Sequence, residues 1–224
     1  MWQPEVEQQG FVVTPPLLTA SEITVLTTAL HQPLSIPKLT RRPSCTRSCG
    51  GRLAAPRLAS SFDRQGNSGG GGISVSCHLV RQVPDRQLAG VASGYGSALH
   101  AEESPGWGPW SMKEGVVYAQ ASASALRQVL ALRVHLDDWT EHHGPLRVLR
   151  GSHKVDVLSH EEMERMVPET AHVECGVRRG GVLAMRPLLI HSSSKSHEHS
   201  PRRVLHIEYA ASIFPTEGLE LAVA

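Results

Sequence analysis

Between residues 104 and 212 the chain breaks into short β-prone runs, each too short for a helix and each bounded by Gly or Pro turns. They are Val116–Gln120, Leu130–Leu136, Leu146–Leu149, Val173–Cys175, Val182–Ile190 and Val204–Tyr209. One helix interrupts them, where Ser159-His-Glu-Glu162 forms a capping box ahead of Met163 to Val167. Many short strands with few helices predict an all-β sandwich or barrel. Upstream, residues 10–31 read as an extended Gly-Phe-Val-Val, then Pro15-Pro16, then a second capped helix. There Thr19-Ala-Ser-Glu22 is the capping box, and Ile23, Leu26 and Leu30 form an apolar stripe.

Two polar residues stand out against this apolar pattern. His191 closes the Val182–Ile190 run, and Arg202 opens the next run eleven residues later. A strand-end histidine suits a metal ligand, and a buried arginine suits a carboxylate, which its planar fork holds bidentately. Because neighbouring residues on a strand point to opposite faces, only one of Arg202 and Arg203 can enter such a site.

Composition narrows the partners. A chain of 224 residues is long enough for one domain with a full β core. Lys+Arg 22 against Asp+Glu 21 leaves almost no net charge, so neither a nucleic acid nor a membrane surface is expected, and a small molecule is. The acidic start, Met-Trp-Gln-Pro-Glu-Val-Glu, does not read as a signal peptide, and no apolar run approaches membrane-spanning length, so a cytoplasmic location is expected. Cys45, Cys49, Cys77 and Cys175 are irregularly spaced and read as unpaired thiols rather than a zinc site.

Residues 38–103 do not fit the rest. They hold eight arginines, three of the four cysteines and the run Gly69–Gly72, against four acids, Asp63, Asp85, Glu102 and Glu103. Over most of its length the stretch shows neither helical nor strand periodicity. So long a structureless segment argues that something is wrong with it. It is expected to be disordered or loosely packed, leaving the major sheet short of a strand.

Residues 10–31 and 104–212 resemble the phytanoyl-CoA dioxygenase family of Fe(II)- and 2-oxoglutarate-dependent oxygenases, above all in Pro105-Gly-Trp-Gly-Pro-Trp-Ser-Met-Lys113. The resemblance implies a mainly β fold, a double-stranded β-helix (jelly roll, cupin-like) with a few flanking helices. It also implies Fe(II) as cofactor, 2-oxoglutarate as co-substrate, and dioxygen and a small organic molecule as partners. It makes His191 the distal metal ligand and Arg202 the 2-oxoglutarate clamp. Gln120 stands where relatives carry a pocket-facing glutamine, with ligand contact and plain strand packing both open.

In those relatives a His-x-Asp motif just upstream supplies the other two iron ligands, and here Val80 to Gly94 stands in its place. Reading each codon one base late, the genetic code permits Phe, Asp and Lys from Val80 onward. It then permits Trp at Val91/Ala92, His at Ala92/Ser93, Gln at Ser93/Gly94 and Asp at Gly94/Tyr95. The missing motif is thus present out of frame. A first indel is expected near residues 36–45 and a compensating one between Tyr95 and Pro105, arising from a sequencing error or from a real lesion. As written, the chain is expected to lack two of three iron ligands and to be impaired. A non-catalytic jelly-roll binding protein is the rival reading.

His135-Leu-Asp137 is itself a His-x-Asp pair, and residues i and i+2 of a strand share a face. Its place at the end of a core strand favours a structural role over a surrogate metal site. His153, in the Gly-Ser-His turn, is read the same way.

Overall fold

A computed structural model describes residues 2–31, 73–82, 91–92, 96–100, 107–113, 116–140, 144–169, 171–193, 202–212 and 219–221. Helix α1 (Gln3–Gln9), strand β1 (Phe11–Val13) and helix α2 (Ala20–His31) open the chain. Then come β2 (Ile73–Gln82), β3 (Val91–Ala92), β4 (Gly96–His100), β5 (Trp110–Lys113), β6 (Val116–Gln120), α3 (Ala123–Leu126) and β7 (Val129–His135). The rest are β8 (Leu146–Leu149), α4 (His160–Glu169), β9 (His172–Cys175), β10 (Val182–Met185), β11 (His191–Ser193), β12 (Arg202–Ala210) and β13 (Glu220–Leu221). Among the described residues no helix is long and apolar enough to cross a membrane.

All the strand pairings are antiparallel. The major sheet has the order β1-β10-β7-β12-β2, a second sheet runs β3-β11-β8-β9, and a third runs β13-β4-β6-β5. Sequence neighbours are seldom sheet neighbours in the first two, which is the crossed connectivity of a jelly roll. Alternation assigns the faces. On the outer face of the major sheet Leu132, Val134, Val182, Ala184, Leu205 and Ile207 pack on Ile23 and Leu26 of α2 and on Val6 of α1. Each such side chain contributes roughly 1.5–3 kcal/mol relative to exposure. On the inner face Ala131, Leu183 and Met185 meet Leu146 and Val148 of the second sheet, so the two sheets stack face to face.

Both capping boxes form as the sequence requires. The backbone N–H of Thr19 donates to Glu22 Oε2 at 2.8 Å and that of Glu22 to Thr19 Oγ1 at 3.3 Å. Ser159 and Glu162 repeat the exchange at 2.7 and 3.3 Å.

Two expectations need correction. Residues 73–82 are not structureless: β2 pairs with β12 along Arg202 to Ala210, so the major sheet does not lack a strand there. The physical reason is legible in Ile73-Ser-Val-Ser-Cys-His-Leu, whose period-two alternation suits the open edge that β12 presents. β3 and β4 fall in the same region, and the rest of 38–103 lies outside the described residues. The run Val182–Ile190 is also not one strand. It breaks after Met185, where Pro187 has no N–H for a ladder and Leu189 N–H donates to Arg186 O at 3.0 Å. The chain crosses here from the major to the second sheet, so His191 begins a strand instead of closing one.

Gly10 shows how the N-terminal region is fastened to the core. It has φ 87°, and a Cβ there would lie 2.5 Å from His153 Nδ1 and 2.6 Å from Leu189 Cδ1. His153 in turn lies 3.2 Å from the Glu7 carbonyl through Nε2, which fits its structural reading. Gly10→Ala should therefore destabilise the fold by about 2–3 kcal/mol, read as a shift in the denaturant midpoint. A midpoint equal to wild type would show that the packing yields at no cost.

Candidate functional site

The register of β7 against β12 decides which polar side chains enter the space between the sheets. Val204 pairs with His135, His206 with Arg133 and Glu208 with Ala131. Cross-strand partners share a face, so Arg133, His135, His206 and Glu208 lie on the inner face with Ala131. Arg202 precedes this row by two residues and belongs to the same face, with 2% of its surface exposed. Arg203 takes the other side. Its Nε donates to Asp137 Oδ2 at 2.9 Å, its backbone N–H donates to the same oxygen at 2.8 Å, and its Nη2 donates to Asp137 Oδ1.

That fork commits Asp137. Partial burial works against its charge, but the side-chain and backbone bonds from Arg203 outweigh it and hold the carboxyl below the usual range. Both carboxylate oxygens accept from one residue on the outer side, so His135 and Asp137 do not form a surrogate metal pair.

Arg202 has the opposite environment. No hydrogen bond or ion pair to it is found among the described residues, and its buried Nε has no partner. Burial, then the neighbouring Arg133 guanidinium, brings it down to about 10, so it stays charged at neutral pH. His135, beside it, is pushed down to about 3 by burial first, then by Arg202 and Arg133, against a smaller opposing pull from Asp137. Its ring is neutral, and its Nδ1 also lacks a partner.

His191 faces this group from the second sheet. Its Nδ1 lies 2.8 Å from the Leu189 carbonyl, which can only accept, so Nδ1 carries the proton and Nε2 keeps the lone pair. Burial lowers its pKa to about 4; the Leu189 bond opposes this, and Arg133 and His206 add to it. A neutral imidazole with one nitrogen fixed by a carbonyl is the state that a metal ligand needs. On the inner face His206 Nε2 lies 3.4 Å from Glu208 Oε1, and both residues are buried. Still, among the described residues no three of His, Cys, Asp and Glu converge as a metal site requires. The described residues thus do not by themselves fit a resident Fe(II).

The structure brings His191 and Arg202 to facing inner surfaces, with Arg133 electrostatically coupled to both. Gln120 is placed elsewhere, at the end of β6 in the third sheet. Its backbone N–H and C=O are tied to Pro109 and Gly108 of the Gly-Pro-Trp loop at 3.4 and 3.0 Å. Sequence reasoning did not single out Arg133. Period-two counting back from His135 would have placed it on the same face.

A family model described as phytanoyl-CoA dioxygenase (PhyH) matches residues 6–204. A comparison with curated proteins finds no match. Among solved structures, HygX from Streptomyces hygroscopicus with iron bound has TM-score 0.62 and 19% identity, covering 95% of this chain and 86% of that one. The non-haem alpha-ketoglutarate-dependent epimerase SnoN from nogalamycin biosynthesis has TM-score 0.58 and 18% identity, covering 94% and 81%. AviO1 from Streptomyces viridochromogenes has TM-score 0.55 and 19% identity, covering 92% of each chain. At these identities the likeness establishes a shared fold.

The neutral state of His135 sets a pH dependence. The unfolded ring binds a proton near its ordinary 6.5, whereas the folded ring does so only near 3. Between those values the unfolded state holds the extra proton, so stability falls as pH is lowered through that window and is recovered above it. Unfolding midpoints measured from pH 7.5 to 5 should decline, with a shallower decline in His135→Gln. An identical slope in that variant would mean that the ring titrates normally.

Proposed function

The chain belongs to the phytanoyl-CoA dioxygenase family, and on that footing we propose that its scaffold is that of an Fe(II)/2-oxoglutarate-dependent dioxygenase hydroxylating a small organic substrate in the cytoplasm. We further propose that the polypeptide as written keeps the carboxylate-binding half of such a site and lacks most of the iron-binding half. Arg202 carries the reading: a guanidinium buried without a counter-charge among the described residues calls for an anion, and a carboxylate matches its fork. HygX, a neighbour in fold, has been crystallised with nickel and 2-oxoglutarate, and with hygromycin B besides. A 2-oxoglutarate carboxylate on Arg202 would be the counterpart here.

The deficit on the iron side has a specific address. In the ladder of β11 with β3, His191 is the register partner of Ala92. Ala92/Ser93 is the junction at which the out-of-frame reading permits His, with Asp permitted at Gly94/Tyr95. The codon that permits His and the strand position opposite His191 thus coincide. Their agreement supports a displaced reading frame over residues from about 38 to 103, within which residues 80–95 carry the motif.

When bound in a complete site, Fe(II) supplies the activation of dioxygen coupled to oxidation of 2-oxoglutarate. This chain's own residues offer the preset Nε2 of His191, the buried charge of Arg202 and an interior closed by apolar packing from both sheets.

Two versions of the chain test the proposal, one as written and one with the shifted reading restored over residues 80–95. Anaerobic calorimetry with Fe(II) or Mn(II) should show at least about 100-fold tighter metal binding in the restored chain, abolished there by His191→Ala. Asp137→Ala should lower the stability of either chain by about 1–2 kcal/mol, a partly exposed ion pair being screened, and leave metal affinity alone. Tight metal binding by the chain as written, lost in His135→Ala, would overturn the assignment.

A further inference from the structure

A cavity of about 260 Å³ opens at the surface, lined by none of the residues that face the space between the sheets. Four segments far apart in the sequence meet around it: Glu7 from α1, Arg127 from the end of α3, His153 and Lys154 from the turn after β8, and Arg186 and Leu188 from the crossover between β10 and β11. Such a convergence is made by the fold and not by local composition.

Two of these side chains are fixed. Arg186 Nη1 donates to the carbonyls of Arg127 and Val129 at 3.3 and 3.2 Å, and its Nη2 donates to Glu7 Oε1. A guanidinium has five N–H donors, so Nε and the second hydrogen of Nη2 stay uncommitted among the described residues. His153 Nε2 lies 3.2 Å from the Glu7 carbonyl, which can only accept, so Nε2 carries the proton. Burial holds the pKa of this ring below its ordinary range; the Glu7 bond opposes that, and the charges of Lys154 and Arg186 add to it. The ring is therefore a neutral wall.

The other two cations are exposed. The Lys154 side chain has no carboxylate partner among the described residues. Arg127 meets Asp156 at 3.8 Å, with the two side chains 51% and 71% exposed, a pair that solvent screens and that costs little to give up. Three cations thus face the cavity against one lining carboxylate, Glu7, which leaves an excess of two positive charges.

We infer that this cavity binds a small phosphate monoester, with Arg127, Lys154 and Arg186 as donors to the phosphate and Leu188 against the organic part. Charge and shape both select that chemistry. A phosphate monoester carries about 1.5 to 2 negative charges at neutral pH, which matches the excess. Its three terminal oxygens suit donors that arrive from three separate segments, whereas a carboxylate offers two oxygens in one plane. At about 30 Å³ for each water, the cavity has room for a phosphate and a short carbon chain. Leu188, itself buried, gives that chain an apolar wall. The site is independent of His191 and Arg202, and its failure would leave their reading as it stands.

Calorimetric titration of the full chain with glycerol 3-phosphate at low ionic strength should saturate at one site per chain. Acetate should bind at least about tenfold more weakly. Lys154→Gln and Arg127→Gln should each weaken glycerol 3-phosphate binding about tenfold, since each removes a charge-assisted hydrogen bond. Arg165→Gln, which removes the same charge from α4 outside the cavity, should change it less than about twofold. All three side chains are exposed, so ligand-free thermal midpoints should match wild type, while glycerol 3-phosphate should raise the wild-type midpoint. Unchanged affinity in Lys154→Gln and Arg127→Gln, equal losses in all three variants, or equal binding of acetate would each overturn the inference. Sedimentation of the chain with vesicles containing phosphatidic acid, without binding of glycerol 3-phosphate, would make this a headgroup site and overturn the small-molecule ligand.

Discussion

The Asp137–Arg203 fork is the interaction on which the interior depends. It ties the end of β7 to the start of β12 by three donors on one carboxylate, two from the guanidinium and one from the backbone. Strand side chains alternate with a period of two, so a slip of one residue would exchange the faces of Arg202 and Arg203. It would also turn Leu205 and Ile207 away from α2, where they pack with Leu132 and Val134. The aliphatic stripe outside and the charged row inside are therefore fixed by one register, and the fork anchors that register at its charged end.

The inner face set by this register carries Arg202, a buried guanidinium with no counter-charge among the described residues. His135 and His191 stay neutral first because they are buried and then because arginines stand near them. An arginine lacks that option at neutral pH. Arg202 consequently keeps its charge while buried beside Arg133 and His135, a desolvation cost that hydrophobic packing has to offset. Residues that violate the rules of burial are where function is first sought, and here the violation and the family relationship indicate the same residue.

Much of this is legible in the sequence alone. Both capping boxes and the apolar stripe of α2 come from local chemistry, and period-two alternation admits only one of Arg202 and Arg203 to the interior, the family resemblance naming Arg202. The strand β2 escapes such a reading because its alternation spans a few residues inside a stretch rich in Arg, Gly and Ser, and the average character of that stretch hides it. The break at Arg186-Pro187 escapes it for the opposite reason: apolar residues on both sides of the proline read as one run, although a proline cannot serve a central ladder. Arg133 goes unnoticed because an arginine within a strand reads as a solvated position until the register shows which face it shares.

Register also explains how a scaffold can outlast its chemistry. The pairing of β3 with β11 is made by backbone groups that every non-proline residue carries, so Val91 and Ala92 hold their places opposite Ser192 and His191 whatever their side chains. A metal centre has no such tolerance, because its ligands must be particular side chains at particular positions. A lesion that replaces residue identities over a short segment therefore removes the iron ligands while leaving the ladder able to form. Arg202 lies outside such a segment, at the start of β12, and its face is fixed by the β12–β7 ladder. Strand pairing and metal ligation thus draw on different parts of a residue, the backbone and the side chain, and a change that spares the first need not spare the second.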